Sequence, residues 1–234
     1  MPTQPLTTNS KRPIIADVNP KSPISEAYRT LRTNIDFSNI DEELKTIMLT
    51  SAGPAEGKST TATNLAVVYA QNDRRVLIVD ADLRKPTMHH TFNKSNRWGL
   101  TNVLTGKTLL SDVIAETHVP NLHVLPSGPI PPNPSEILAS KRMTAVLAEL
   151  RGMYDLVIVD TPPALAVADA QIMATKCDGV ILVIYAGSTK RDAIVKVKAN
   201  MDHVKANVIG AVLNNVDRKS GEGYYYYYYG SREE

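Results

Sequence analysis

The sequence predicts an α/β protein in which a parallel sheet is flanked by helices on both faces. From residue 46 onward, short apolar runs alternate with stretches that carry apolar residues at helical spacing, and this alternation is typical of parallel sheets. Two of the runs, at 76–79 and 156–159, are apolar without interruption, as strands are when both of their faces are covered. Ligands of such sheets bind beyond the carboxyl ends of the strands.

The predicted elements follow one another in a regular order. We predict strands at 46–51, 75–80, 122–126, 154–160, 179–186 and 207–213. We predict helices at 24–38, 58–72, 134–151, 167–176 and 189–205. The first helix has an apolar stripe that we expect to be buried, made of Ile24, Ala27, Tyr28, Leu31 and Ile35.

The two ends of the chain differ in composition from the part between them. Residues 1–23 contain five prolines, which forbid a long helix. We therefore predict a flexible arm there, which either wraps a neighbour or a membrane partner or is a loose terminus. Residues 24–218 form the predicted folded domain. Residues 219–234 are a predicted flexible tail, because three glycines surround its tyrosines.

Length, charge and cysteine content narrow the class of protein. The 234 residues, 43% of them hydrophobic, can bury a substantial core, and a net charge of +2 gives no argument for nucleic acid as a partner. The single cysteine, Cys177, cannot form an internal disulfide, which fits a reducing compartment. No apolar run approaches the ~18 residues of a membrane span. We expect a cytoplasmic protein.

Residues 52–60 have the pattern of a phosphate-binding loop. They follow a predicted strand, contain Gly57, Lys58 and Ser59 in succession, and lead into a predicted helix. Gly57 allows the backbone to approach phosphate oxygens, Lys58 adds a positive charge, and Ser59 offers a hydroxyl to Mg2+. The first glycine of the usual pattern is Ala52 here. The sequence therefore predicts a P-loop NTPase-like sheet with a nucleotide site formed by Gly53, Pro54, Ala55, Glu56, Gly57, Lys58, Ser59 and Thr60.

Three acidic residues stand at the ends of predicted strands. Asp160 ends the 156–159 run and would reach Mg2+ directly or through water, although an aspartate there can also form a turn. Asp80 and Asp82 end the 76–79 run. One can hold Mg2+ while the other accepts a proton from an attacking hydroxyl, unless the pair is only a solvated acidic turn.

Two further features lie outside the predicted sheet. Glu26, Arg29 and Arg32 lie off the apolar stripe of the first helix, as either a solvated row of ion pairs or a subunit contact. A tail of ~15 extended residues reaches on the order of 50 Å, enough to present tyrosines to a neighbour's Asp80, although six β-prone aromatics could also be merely sticky. These tyrosines are Tyr224, Tyr225, Tyr226, Tyr227, Tyr228 and Tyr229.

Together these stretches resemble the bacterial tyrosine kinases (BY-kinases) of capsule and exopolysaccharide synthesis. The resemblance covers nearly the whole chain and also rests on 77–86 (LIVDADLRKP), 125–136 (LPSGPIPPNPSE) and 154–163 (YDLVIVDTPP). It is closest to the Gram-positive form, in which the kinase is a free-standing cytoplasmic chain. A separate transmembrane protein supplies the activating cytoplasmic segment in that form.

The resemblance implies an ATP-dependent protein-tyrosine kinase that phosphorylates its own tyrosine cluster in trans and regulates exopolysaccharide or capsule synthesis. It implies ATP and Mg2+ as cofactors and Lys58, Asp80 and Asp82 as catalytic residues. The implied metal ligands are Ser59, Asp82 and Asp160.

The resemblance also implies partners and an assembly. Glu26, Arg29 and Arg32 would hold a ring-shaped homo-oligomer that loosens when the tail is phosphorylated, and Asn214 would contact the adenine. The expected partners are a transmembrane activator at the inner face of the cell membrane and protein substrates phosphorylated on tyrosine, with no nucleic acid.

Two other functions stay open at this point. A ParA/MinD-like ATPase has a similar fold and loop, but such proteins carry a second lysine where Gly53 stands, and they lack a tyrosine tail. A module that uses nucleotide only to control assembly, without kinase activity, would not need all of the charged positions that are present here.

Overall fold

The computed structural model describes residues 13–38 and 43–217 and contains one sheet. Its strands are β1 Thr46–Ser51, β2 Val76–Asp80, β3 Ala115–Glu116, β4 Leu122–Leu125, β5 Leu156–Asp160, β6 Gly179–Tyr185 and β7 Val208–Asn214. The strand order is β3-β4-β2-β5-β1-β6-β7. All neighbouring strands are parallel except β3 and β4, which pair antiparallel. The predicted parallel α/β sheet is confirmed.

Helices cover both faces of this sheet. They are α1 Ile15–Val18, α2 Pro23–Ser38, α3 Lys58–Ala70, α4 Met88–Thr91, α5 Leu100–Leu104, α6 Pro134–Ala139, α7 Lys141–Met153, α8 Asp169–Ala174 and α9 Arg191–His203. Strands β1, β2 and β5 are buried along their whole length, and their successive side chains enter two separate cores. Ile78 and Ile158 pack with α1, α2 and α3, whereas Val79 and Val159 pack with the helices of the other face.

The predicted strands and helices are present, with ends that shift by a few residues. The predicted helix at 134–151 is two helices, α6 and α7, that meet at Ser140. Ser140 has an extended backbone, and its hydroxyl accepts the N–H of Met143 at 3.2 Å, so it caps α7. A side-chain cap of this kind starts a new helix, and the apolar spacing on either side does not reveal it.

The predicted flexible arm at 1–23 is wrong for its second part. From residue 13 the chain is folded: Ile14 and Ala16 are buried against α3. The N–H of Ala16 donates to Asn64 Oδ1 at 2.9 Å, and its carbonyl accepts from Gln71 Nε2 at 3.0 Å. The burial of these apolar side chains and the hydrogen bonds of the backbone order this segment in spite of its prolines. Residues 1–12 lie outside the described part of the chain.

Helix α2 packs on α3 through only part of its predicted stripe. Ile35 is buried, and Tyr28 and Leu31 pack against the same core, but Ile24 is 45% exposed and Ala27 is exposed. The first turn of α2 therefore leaves apolar surface open. Within the described residues, we find no helix whose length and apolar character would let it span a membrane.

Candidate active site

The phosphate-loop residues form a tight turn between β1 and α3. Ala55 and Gly57 have positive φ angles of 61° and 94°, and a side chain on Gly57 would collide with the amide of Asn214. Gly57 is thus required both by its backbone and by its neighbour. The N–H groups of the first turn of α3 have no partner within the helix, which suits an anion.

Lys58 lies at the centre of a charged cluster where the loop meets the strand ends. Its Nζ is 3.2 Å from Asp82 Oδ2, 3.5 Å from Asp160 Oδ2 and 3.1 Å from Ser59 Oγ. The Ser59 hydroxyl donates to Asp160 Oδ2 at 2.6 Å. Burial by itself would lower the pKa of Lys58, but the carboxylates of Asp160 and Asp82 outweigh it and raise that pKa. The ammonium is therefore held in its charged form.

Asp80 is fully buried beside this cluster, at the end of β2. Its Oδ2 accepts the N–H groups of Thr87 and Met88, both at 2.9 Å. Burial, followed by the charge of Asp160, raises the pKa of Asp80 to about 7 in spite of these two bonds. Burial also raises the pKa of Asp160, against the pull of Lys58. A carboxyl group that titrates near neutral pH suits proton transfer.

Two buried carboxylate oxygens in this cluster, Oδ1 of Asp80 and Oδ1 of Asp160, have no hydrogen-bond partner among the described residues. Buried polar atoms without a partner are costly, and acceptors of this kind fit a hard cation such as Mg2+. In contrast, Asp82 uses Oδ1 for the N–H of Lys85 at 3.0 Å and Oδ2 for Lys58. The donor set fits the predicted Mg2+, and the free oxygens belong to Asp80 and Asp160.

No group of three His, Cys, Asp or Glu side chains in the described ranges has the arrangement of an all-protein metal cage. Mg2+ sites of nucleotide enzymes commonly use one or two carboxylates together with substrate phosphates. The predicted ligands Ser59, Asp82 and Asp160 all belong to the Lys58 cluster, and their role toward the metal stays a prediction.

Asn214, at the end of β7, lies against the phosphate loop. Its Nδ2 donates to the carbonyl of Glu56 at 3.0 Å. The amide therefore supports the loop in this structure, and its predicted contact with adenine stays a prediction.

The predicted interface row is less solvated than its spacing indicates. Glu26 and Arg29 form an ion pair at 2.7 Å, but Arg32 is half-buried, and its Nη1 donates to the carbonyl of Val68 at 3.1 Å. Val68 lies in the last turn of α3, where carbonyls lack helical partners. Arg32 therefore also caps α3, and the subunit contact stays a prediction. The predicted phosphorylation sites at 224–229 lie outside the described residues.

A second buried network near the site has no local pattern in the sequence. The carboxylate of Asp169, which is fully buried at the start of α8, accepts Arg84 Nε at 2.8 Å and Arg84 Nη2 at 3.1 Å. Ser135 of α6 donates to the same carboxylate. This network anchors the segment that follows Asp82. Its members are far apart in the chain, so no local pattern reveals them.

Comparison with known proteins gives consistent matches. A family model described as an AAA domain matches residues 44–212. The tyrosine-protein kinase YwqD of Bacillus subtilis (strain 168) is 49% identical over 217 residues, 92% of each chain. The tyrosine-protein kinase CpsD of Streptococcus agalactiae is 42% identical over 193 residues, 82% of this chain and 83% of its own.

Solved structures show the same similarity. The chimerical protein CapA2B2 matches with a TM-score of 0.84 and 42% identity over 87% of this chain and 89% of its own. The kinase domain of the Escherichia coli tyrosine kinase ETK matches with a TM-score of 0.86 and 37% identity over 95% and 88%. The septum site-determining protein MinD of Pyrococcus horikoshii OT3, complexed with Mg-ADP, is more distant, with a TM-score of 0.65 and 25% identity over 75% and 72%.

Proposed function

The chain belongs to the family of bacterial tyrosine-protein kinases, and from this premise we propose that it transfers the γ-phosphoryl group of ATP to tyrosine hydroxyls. The observation that carries the proposal is the cluster of Lys58, Asp80, Asp82 and Asp160 at one edge of the sheet, directly beside the phosphate loop. In the reaction, the tyrosine oxygen bonds to the γ-phosphorus as the bond to the ADP oxygen breaks.

The residues of the cluster divide the work. The backbone N–H groups of the loop hold the phosphates, and the ammonium of Lys58 compensates the charge of the outer ones. Ser59, Asp82 and Asp160 would hold Mg2+, and the bound ion would supply positive charge to the phosphate oxygens.

Asp80 serves as the proton acceptor. A free tyrosine has a pKa of about 10 and is neutral at working pH, so a carboxylate must take its proton as the new bond forms. A pKa of about 7 brings Asp80 closer to that of the phenol than an ordinary aspartate would be, and its free Oδ1 offers the place for the proton.

The first substrate that we propose is the tyrosine cluster of the tail. We assign residues 24–218 to the kinase domain, extended at its start by the folded segment from residue 13, and 219–234 to the tail. Strand β7 ends at Asn214, at the same edge of the parallel sheet as Asp80 and Asp160. The described chain continues from Asn214 to residue 217, so β7 ends toward the tail at the edge of the sheet that holds the proposed active site. In a ring held by Glu26, Arg29 and Arg32, we propose that the tail reaches the neighbour's site.

The same family suggests the setting of the kinase. We place the protein in the cytoplasm, at the inner face of the membrane, where a transmembrane activator recruits it to regulate exopolysaccharide or capsule synthesis. The match to the chimeric protein CapA2B2 supports a partner of this type.

One experiment separates a kinase from a MinD-like ATPase with the same fold. The purified protein is incubated with Mg-ATP, and phosphotyrosine is mapped by mass spectrometry alongside a variant whose six tail tyrosines are replaced by phenylalanine. We expect phosphate on the tail of the wild type and transfer to an added tyrosine peptide by both proteins. Equal ATP hydrolysis by both without any phosphotyrosine would establish the ATPase and refute the kinase.

A further inference from the structure

The side chain of Glu56 turns back across the phosphate loop and closes it. Its Oε2 accepts the N–H of Ala52 at 2.9 Å, and its Oε1 accepts the hydroxyl of Thr189 at 2.8 Å. Both oxygens of the carboxylate are therefore occupied by protein donors. The backbone carbonyl of the same residue accepts from Asn214, so Glu56 closes the loop at Ala52 and joins it to two other parts of the chain.

Thr189 continues this chain of hydrogen bonds to the sheet. Its Oγ1 accepts the N–H of Tyr185, the last residue of β6, at 3.0 Å. Since that hydroxyl donates to Glu56, the order runs from Tyr185 through Thr189 and Glu56 to Ala52. The end of β6, which lies between β1 and β7 in the sheet, is thus linked to the loop's first residue.

We propose that Glu56 is a positioning residue that, together with Thr189, holds the phosphate loop in its binding shape before nucleotide arrives. The loop needs such support because Ala55 has a positive φ, which costs a non-glycine residue conformational energy. A loop that is already ordered loses less entropy when it binds phosphate. This proposal rests on the nucleotide site proposed above and adds the side chains that preset it.

The position of the carboxylate argues against a direct role in the reaction. A negative charge close to the phosphates would repel them, and here it is engaged by the Ala52 N–H and the Thr189 hydroxyl. The loop therefore requires a side chain that hydrogen-bonds to both Ala52 and Thr189, and glutamine can do this. Its Oε1 can accept from Ala52 while its Nε2 donates to Thr189.

The test compares Glu56→Gln, Glu56→Ala, Thr189→Ser and Thr189→Val with the wild type. Binding of Mg-ATP is measured by calorimetry, and steady-state kinetics separate KM from kcat. We expect Glu56→Ala and Thr189→Val to raise Kd and KM for ATP about tenfold, as the loss of one such hydrogen bond would, while kcat at saturating ATP falls much less. Glu56→Gln and Thr189→Ser should stay within about twofold of the wild type, because each keeps the bridge.

A second measurement follows the loop without nucleotide. Hydrogen exchange of the Ala52 amide should be faster in Glu56→Ala than in the wild type and restored in Glu56→Gln, since the amide's acceptor is lost and regained. The double variant Glu56→Ala with Thr189→Val should bind ATP no more weakly than Glu56→Ala alone, because both changes cut the same chain of bonds.

The outcomes distinguish a failure of the positioning role of Glu56 from a failure of the nucleotide site on which it depends. If the wild type binds no Mg-ATP, the nucleotide site itself is refuted. If the wild type binds and Glu56→Ala binds equally well with unchanged exchange at Ala52, the positioning role is overturned. If Glu56→Gln loses kcat as severely as Glu56→Ala, the charge of Glu56 acts in the reaction and the bridge does not explain it.

Discussion

Aspartates stand at both ends of the parallel sheet, and their surroundings are opposite. At the amino end, Asp178 accepts the N–H groups of Lys45 and Thr46 at 3.0 and 2.8 Å with one oxygen, and Arg151 Nη2 at 2.8 Å with the other. At the carboxyl end, Asp80 and Asp160 each have one buried oxygen without a partner in the part of the chain that the structure describes. The same residue type closes backbone bonds at one end and is left incompletely paired at the other.

This contrast shows that the free-energy cost of burying carboxylates falls at the end of the sheet that holds the candidate active site. Asp178 is about one-third exposed, and both of its oxygens have hydrogen-bond partners. The burial of Asp80 and Asp160 raises the pKa of both groups, which means that folding disfavours their charged forms. Natural active sites commonly carry such destabilising groups.

The largest effect is expected from Lys58→Met, which removes the charge at the centre of the carboxyl-end cluster. Autophosphorylation should fall by roughly 10²–10³-fold or more, because a positioned charge that stabilises the transition state contributes about that much. Phosphotyrosine is measured after incubation with Mg-ATP, and Lys196→Met on the exposed face of α9 serves as control. Retained tail phosphorylation in Lys58→Met would remove this loop as the donor site.

Asp80→Asn should separate activity from stability. We expect kinase activity to fall by about 10²–10⁴-fold, because an amide cannot accept the tyrosine proton. The nucleotide-free protein should instead be more stable at pH 8, by an amount below the about 4 kcal/mol that a rise from 3.8 to about 7 allows.

The pH dependence of that gain has a definite sign. The folded protein binds the proton of Asp80 more tightly than the unfolded chain does, so the contribution of Asp80 to stability is greatest at low pH and decreases as the pH rises from about 4 to about 7. The gain in Asp80→Asn should therefore be present at pH 8 and vanish toward pH 4, as measured by urea unfolding. An equal gain at both pH values would exclude the raised pKa as its source.

Asp178→Asn should give the reverse result at the amino end. Weakening its bonds to two backbone N–H groups and to Arg151 should destabilise the protein by about 1–2 kcal/mol, a value reduced by partial exposure, while kinase activity stays at the wild-type level. Asp202→Asn, which removes only a surface pair with Lys198 on α9, is the matched control, with an expected loss under about 0.5 kcal/mol. If Asp178→Asn lost as much activity as Asp80→Asn, the distinction between a structural aspartate at the amino end and a catalytic one at the carboxyl end would be refuted.

The smallest effect on the fold is expected on α2, away from both ends of the sheet. Replacing Glu26, Arg29 and Arg32 together by alanine should cost about 1 kcal/mol, mostly through the lost bond from Arg32 to α3. The oligomer should nevertheless be lost, and tail phosphorylation should fall most at low protein concentration. Light scattering provides the measurement, and an oligomer of unchanged size would refute the interface.

The parts of the site that the sequence predicts are those that depend on neighbours in the chain. The loop around Lys58 and the aspartates after β2 and β5 are local patterns in a known context, so their meeting at one edge follows from the parallel sheet. The bonds of Glu56 to Thr189 and of Arg84 to Asp169 join residues 133 and 85 positions apart. A single sequence contains no pattern that reveals pairs so far apart in the chain. The folding of Ile14 and Ala16 onto α3 was hidden for the same reason.

The hydrogen bond from Arg32 to α3 bears on the dipole of that helix. Helix α3 has 13 residues and is about 20 Å long. Its amino end carries partial positive charge toward the phosphate loop, and its carboxyl end carries partial negative charge, which Arg32 meets at the Val68 carbonyl. The guanidinium of Arg32 is thus a counter-charge to the dipole of α3, and Arg32 and the phosphate loop lie at opposite ends of that helix.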